Sequence, residues 1–558
     1  MFKKSICSTK PTLFEGVSQH LKGKRLSGLE DLNAWQNCFY SEITSKVPEE
    51  VLSPLYHTDF GRANAPIRIL IGMIILKEGN DWTDEQLFEA CDYNLLVHRA
   101  LGFTNLSDQS PSPATYYNFK LALFHYEKDT GINLLEPVFQ SITKGQIFHY
   151  KVSGKNVRMD SKLTHANLAK TTRLQMALGV IIKFYKSLSK ENKALLGTEE
   201  KELLEDIIGK SPEQYSYQFN KETAAEQLIK IGELVFKLCT LYKDLQSEEY
   251  TILSRLWNEH FELVESEDEA DKTPKPKDMS KQGGTPLQSA HDPQATYRNK
   301  PGSKKQQITG YVTNIAETCA EKEEGQPGPL NLITDVQTET ATTSDDKFLE
   351  SSLERTREVL SNKIENVLTD GAYNSEYNEN LSRQEKESFN LLVTAIQGIQ
   401  CEYEFEKLED GNYKVFDPRN GVEQTTTKTP SGKYRIDEHH RPYKYRYLEE
   451  KTIINYFRRK EMEDYPKWVY GLRANSESTI HQMYCKLNGM KTKYRGKFKH
   501  QYYAICRAMW VNFKRINAHL LGFIEKQIKS NNTITGRVMV AHTMILSLLI
   551  FNINFDKI

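Results

Sequence analysis

Between residues 289 and 400, apolar runs of strand length alternate with amphipathic segments, and this alternation constrains the fold more than any other feature. Ile308–Ile315, Leu330–Val336, Glu365–Asp370 and Phe389–Ile396 have the length and apolar content of strands. Asp346–Leu360 places Phe348, Leu349, Leu353 and Val359 on one helical face, and Glu376–Glu387 reads as a polar helix. Strand, strand, helix, strand, helix, strand builds an α/β fold around a mixed sheet. One more candidate strand, Lys155–Asp160, lies far upstream, so the sheet has to be interrupted by what lies between.

That intervening stretch, from Arg173 to about Val264, has helical periodicity: Leu203, Leu204 and Ile207 share one face, as do Leu228, Ile231 and Leu234. Acidic Glu265–Glu269 and the proline-containing Lys272–Lys277 read as a flexible charged linker. The expectation is a helical insertion at 173–285, inside a catalytic domain built from 148–172 and 286–535. A second, β-like insertion is expected at 400–446, with short strands at Tyr413–Phe416 and around Tyr434. A basic helix at Tyr447–Glu463 and a long helix through Tyr502–Leu521 follow.

Upstream, residues 1–55 read as a helical adaptor, with Leu29, Leu32 and Trp35 at helical spacing. In 56–147, Pro66 suits the first turn of a helix that carries Ile67, Leu70, Ile71, Ile74 and Ile75, and Gly79-Asn80 stops it. Thr83 with Gln86 forms a capping box, and Ser112-Pro113 starts another helix. Short helices with tight joints fit a helix-turn-helix-like DNA-binding domain or a plain helical bundle.

The 74 basic and 74 acidic residues cancel, but the positive charge is not evenly spread. Lys491, Lys493, Arg495, Lys497 and Lys499 crowd one stretch, which suits a phosphate backbone. The eight cysteines are scattered without a C-x-x-C pair, which argues against a zinc site or disulfide framework and suits a reducing cytoplasm. The apolar C-terminal segment 536–558 contains Val538–Phe551. That run is shorter than the roughly 20 residues of a membrane span, so a buried helix is expected.

Asp160 and Asp370 each end a candidate strand, where ligands of open sheets gather. Glu477 lies on a candidate helix. Hard divalent cations take oxygen ligands, and paired ions serve phosphodiester chemistry. An Asp at a strand end is also a common turn or cap residue, and Asp335 competes with Asp370 for the second position. Gly371 favours Asp370 because glycine permits a tight turn that exposes the carboxylate.

Four stretches carry a resemblance. They are Pro111-Ser-Pro-Ala-Thr-Tyr116 with Phe60-Gly-Arg62 upstream, Asp160-Ser-Lys-Leu-Thr-His-Ala-Asn167 with the later turn His291-Asp292-Pro-Gln-Ala295, Thr369-Asp-Gly-Ala-Tyr373, and Tyr470-Gly-Leu-Arg-Ala-Asn-Ser-Glu477. Together they resemble the DDE-type transposases of bacterial insertion sequences, the IS1182-like group, with IS4 and IS5 transposases more distant. The resemblance implies an RNase H-like core in which Asp160, Asp370 and Glu477 hold two Mg²⁺ or Mn²⁺ ions. It implies cleavage at the element's ends and transfer of the freed 3′-OH to target DNA. Arg473 and Lys486 would contact phosphate. Tyr470 would position the DNA end or serve as a packing aromatic. The family's lysine after the glutamate falls on Tyr484, with Lys486 the nearest substitute. Partners would be terminal inverted repeats, target DNA and a second copy of the chain, in a bacterial, nucleoid-associated cytoplasmic setting without a membrane. The alternatives are a catalytically inactive DNA-binding regulator of transposase descent and an RNase H-like nuclease.

Overall fold

The computed structural model describes residues 1–4, 16–57, 61, 63–265, 272–300, 306–322, 328–384, 388–396, 400–409, 412–437 and 445–530. The C-terminal segment 536–558, the motif residues Phe60 and Arg62, and the acidic run after Glu265 lie outside them.

Among the described residues, seven α-helices precede the sheet: α1 (Lys24–Glu30), α2 (Trp35–Glu42), α3 (Ile67–Asn80), α4 (Asp84–Tyr93), α5 (Leu95–Leu101), α6 (Pro113–Thr130) and α7 (Leu135–His149). Their starts follow local chemistry. Thr83 and Gln86 make the reciprocal capping box of α4, and the Ser112 hydroxyl accepts from Thr115 N at the start of α6. α3 is buried nearly all round, from Ile67 to Gly79, as a helix apolar on every side has to be.

The first strand, β1 (Asn156–His165), leads into six helices: α8 (Arg173–Ser187), α9 (Lys190–Ala194), α10 (Thr198–Ile208), α11 (Pro212–Ser216), α12 (Lys221–Leu241) and α13 (Glu248–His260). They enclose their own apolar cluster, in which Ile181, Phe184, Ile231, Leu253 and Leu256 are buried. Of the stretch read as a flexible linker, Lys272–Pro276 forms β3, paired antiparallel with β2 (Phe261–Glu265), the end of the stretch read as helical. β3 belongs to a two-stranded sheet packed on α12, so it has an unpaired edge where proline's missing N–H is tolerated. Phe261 is buried and stacks on Trp257.

β4 (Thr296–Lys300), β5 (Gln306–Thr318), β6 (Ile333–Thr340), α14 (Leu349–Val359), β7 (Asn366–Thr369), α15 (Glu376–Ser382) and β8 (Asn390–Val393) complete the sheet. Its order is β4-β5-β1-β7-β8, with β6 also paired to β5. β5 runs antiparallel to β1, β4 and β6, whereas β1, β7 and β8 are parallel. Two sequence expectations change here. β1 does not end at Asp160, because β5 pairs with it as far as His165, opposite Gly310. Ala295–Arg298, read as a turn, largely enters the edge strand β4.

The described residues between 404 and 448 include β9 (Glu404–Lys407), β10 (Tyr413–Asp417), β11 (Val422–Thr426), β12 (Tyr434–Asp437) and β13 (Tyr445–Leu448). They cover Phe405, Val415, Ile436 and Leu448 against Ile453 of α16 (Glu450–Glu463). Tyr447, expected to open the helix, lies in β13. α17 (Lys467–Ala474), α18 (Ser476–Tyr484) and α19 (Lys497–Ser530) follow.

α19 ties the molecule together, crossing β6 on one side and α3 on the other. Phe513 meets Phe39 edge-on at 5.1 Å, and Asn512 bonds both backbone groups of Ile333. One apolar cluster therefore runs from α2 and α3 through α7 to β6 and α19, so the N-terminal helices share their core with the sheet. No described helix is long and apolar enough to cross a membrane.

Candidate active site

β1 and β7 are parallel, with Arg158 opposite Leu368. Two residues further on stand Asp160, within β1, and Asp370, just past the end of β7, so the two carboxylates stand level on neighbouring stretches of chain. Each has one oxygen fixed by a backbone N–H: Ser161 N donates to Asp160 Oδ1 and Ala372 N to Asp370 Oδ1, both at 2.9 Å. The remaining oxygens face a shared cation. Arg473 Nη2 lies 3.2 Å from Asp160 Oδ2 and 3.7 Å from Asp370 Oδ2. Ser476 Oγ donates to Asp160 Oδ2 at 2.9 Å and accepts from Arg473 Nη1.

Gly371 has a different role from the expected one. Its φ is not positive, but an added Cβ would collide with the Ala395 carbonyl, so close backbone approach demands glycine there.

The helices that deliver Arg473 and Ser476 are held by packing and by a buried ion network. Val469 and Leu472 of α17 lie against Leu368 and Cys319. Arg158, beside Asp160 in sequence, pairs through Nε with Glu317 Oε1 at 2.8 Å, and its Nη1 donates to the Leu472 carbonyl at 2.6 Å. Glu317 also receives Arg515 Nη1 at 2.7 Å and Thr479 Oγ1 of α18 at 2.6 Å. Glu317 is buried, and burial alone would raise its pKa. The two guanidiniums outweigh burial and hold it below the ordinary carboxylate range.

Sequence reasoning missed Asp345. The turn Asp345–Phe348 packs on the turn Gly371–Tyr373, next to Asp370. Asp345 is buried, which raises its pKa, and the charges of Asp370 and Asp160 act in the same direction. Ser161 and Arg298 oppose them. Tyr373 is also buried beside these acids. Its hydroxyl donates to Asn314 Oδ1, and burial followed by Asp345, Asp160 and Asp370 pushes the phenol far up. The sequence signal for Asp345 was only a Ser344-Asp345 helix start, indistinguishable from an ordinary cap.

The other expected site residues are placed differently. Glu477 is exposed on the first turn of α18, one residue beyond Ser476. Among the described residues, no group of three or more His, Cys, Asp or Glu side chains is poised to hold a metal ion. Asp335 is buried on β6, which β5 separates from β1. It receives Arg355 Nε at 2.9 Å and Ser352 Oγ at 2.7 Å, so it is tied to α14. Tyr470 is half-exposed, and its hydroxyl donates to the Met462 carbonyl at 2.6 Å. Tyr484 is buried and Lys486 is exposed.

The basic stretch 491–497 is stitched to its surroundings. Lys491 donates to the Leu168 carbonyl, Arg495 to the Asn167 carbonyl, Lys493 pairs with Asp81 and Lys497 with Glu339. These bonds fasten it to the loop after β1 and to the turn after α3. Gly496 N and Tyr311 Oη both donate to buried Asp292, which accounts for the Asp-Pro turn.

Residues 27–121 match the family described as Transposase domain (DUF772). The match covers the helical region from α1 into α6 and supports a transposase family. No curated protein and no solved structure matches the chain.

Proposed function

We propose that the chain is a DDE-type DNA transposase of the IS1182-like group, with Asp160, Asp370 and Glu477 as its acidic triad. The observation that carries this reading is the level pair Asp160 and Asp370, each with one oxygen fixed and one turned to a common cation. The pair suits a hard divalent ion, since its donors are carboxylate oxygens and a positive group already lies between them. Glu477 follows Ser476, whose hydroxyl already touches Asp160. The sheet supports an RNase H-like core: β5 antiparallel between β1 and β6, then β7 and β8 parallel to β1, with helices between.

In this reading Asp160, Asp370 and Glu477 would hold two Mg²⁺ or Mn²⁺ ions, which when bound would activate the attacking oxygen and stabilise the leaving one. The backbone N–H groups of Ser161 and Ala372 keep the two carboxylates oriented. Arg473 supplies a buried positive charge for a phosphate at the same spot. Tyr470, Lys486, Lys491, Lys493, Arg495 and Lys497 face DNA. The last four are already paired or bonded to the protein, so they act through their field more than through new bonds. Joining two element ends calls for a homodimer on DNA, in the bacterial cytoplasm at the nucleoid.

The test is cleavage of duplexes carrying the DNA that flanks the chain's own gene, with Mg²⁺. Asp160→Asn, Asp370→Asn and Glu477→Gln should each abolish nicking and leave duplex binding largely intact. Nicking by Asp370→Asn at the wild-type rate sinks the assignment. One observation favours the inactive DNA-binding regulator as a second reading: Ser476, not Glu477, makes the contact to Asp160. That reading requires the wild-type protein to bind these duplexes without nicking them.

A further inference from the structure

We infer that in the metal-free protein Arg473 stands where a divalent cation binds between Asp160 and Asp370, and that it has to withdraw before the cation enters. The inference rests on the two-aspartate reading above. Arg473 Nη2 faces Asp160 Oδ2 and Asp370 Oδ2, while backbone N–H groups hold the Oδ1 atoms of the same two carboxylates. A divalent cation held by the same two aspartates would meet the guanidinium there, so ion and Arg473 would compete for one place.

The pose is electrostatic in origin. The Arg473 side chain is 11% exposed, and its Nε is buried without a hydrogen-bond partner. An unpaired buried N–H is costly, so the ends of the guanidinium have to compensate for it. They do so through the two carboxylates and Ser476 Oγ, which itself donates to Asp160. The clasp fixes α17 and α18 together at Asp160 of β1, with Glu477 exposed. An incoming double positive charge neutralises the pair better than one guanidinium, and a DNA phosphate gives the released guanidinium a new partner. Metal and DNA therefore favour each other, and by linkage the coupling is reciprocal.

The experiment is Mn²⁺ titration of the full-length protein without DNA, read by the loss of free-ion electron paramagnetic resonance signal. Wild type, Arg473→Gln, Arg473→Lys, Ser476→Ala and the double variant Asp160→Asn with Asp370→Asn are compared. Arg473→Gln should bind Mn²⁺ at least ten-fold more tightly than wild type. Arg473→Lys, which keeps the charge but cannot bridge both carboxylates and the serine, should fall between. Ser476→Ala should shift in the same direction. Hydrogen exchange over 467–484 should accelerate when Mn²⁺ saturates the wild-type protein, because the clasp opens. An Arg473→Gln dissociation constant within two-fold of wild type overturns the inference. So does tighter binding with unchanged exchange in saturated wild type, which would reflect removed charge alone. If the double variant binds Mn²⁺ as wild type does, the aspartate site itself is wrong, and the inference falls with it.

Discussion

Glu317→Gln removes one negative charge from the centre of the network beneath the candidate site. Glu317 accepts from Arg158 at 2.8 Å, from Arg515 at 2.7 Å and from Thr479 at 2.6 Å. In the variant two guanidiniums stay buried, with side-chain exposures of 4% for Arg158 and 16% for Arg515. Breaking a buried pair from one side costs about 3–5 kcal/mol, because the orphaned charge has no water to return to. Arg515 keeps the Asn331 carbonyl and Gln482 Oε1, and Arg158 keeps the Leu472 carbonyl. The lower half of that range, about 3–4 kcal/mol, is therefore expected at pH 7. The assay is urea unfolding followed by circular dichroism, reading the transition of the sheet and comparing midpoints at unchanged slope. The pH dependence supplies a second check. The folded carboxyl sits below its ordinary pKa, so its stabilisation is present above the unfolded value of about 4.3 and fades as pH falls through the folded value. The gap between wild type and variant should narrow below about pH 4.3. A loss under about 1 kcal/mol at neutral pH, or a gap that widens in acid, would refute the reasoning.

Other outcomes follow from the same structure. Gly371→Ala forces the Ala395 backbone away and should cost about 1–3 kcal/mol while displacing Asp370. Nicking should therefore fall further than folding, and equal losses would count against the close-approach argument. His500 is buried beside Thr492, and burial pushes its pKa down to about 4. Stability should therefore fall by about 3 kcal/mol between pH 6.5 and 4 as the unfolded chain takes the proton first. His500→Gln should flatten that slope, measured by urea midpoints across the window. Lys491→Ala with Lys493→Ala should lower the salt dependence of DNA binding by up to ~2 in slope. An unchanged slope in filter binding or anisotropy removes that stretch from the interface. The exposed Lys493–Asp81 pair contributes under about 1 kcal/mol, so the double variant should stay folded.

The parts of the fold legible in the sequence were those whose signal is local. Thr83 and Gln86 specify a capping box by spacing alone, and Ser112-Pro113 specifies a helix start. The sheet strands were recognisable because buried strands read as apolar runs. β4 was missed because it is a polar edge strand held by pairing with β5, a partner with no local signature. The β2–β3 ribbon was missed because its prolines resemble a linker until an edge position makes them harmless. The extension of β1 beyond Asp160 comes from long-range pairing as well.

Within the site, the level placement of Asp160 and Asp370 follows from strands that were both recognisable. Arg473 was named for phosphate, yet its contact with both aspartates depends on how α17 docks, which Glu317 and Arg158 decide from far away in the chain. Asp345 had no signal beyond that of a cap. The cluster Lys491, Lys493, Arg495 and Lys497 shows the converse: charge density in sequence cannot distinguish cations aimed at a ligand from cations already bonded to carbonyls and carboxylates.

The measurement that bears most directly on the central claim is strand transfer. A duplex carrying the flanking DNA, pre-cleaved to leave a 3′-OH at the element end, is mixed with supercoiled plasmid, protein and Mg²⁺. The wild-type protein should join the 3′-OH to the plasmid, and Asp160→Asn and Asp370→Asn should give no joined product while still binding the duplex. Joining by the Asp160→Asn, Asp370→Asn double variant at the wild-type rate would contradict the claim that these two carboxylates form the reaction centre.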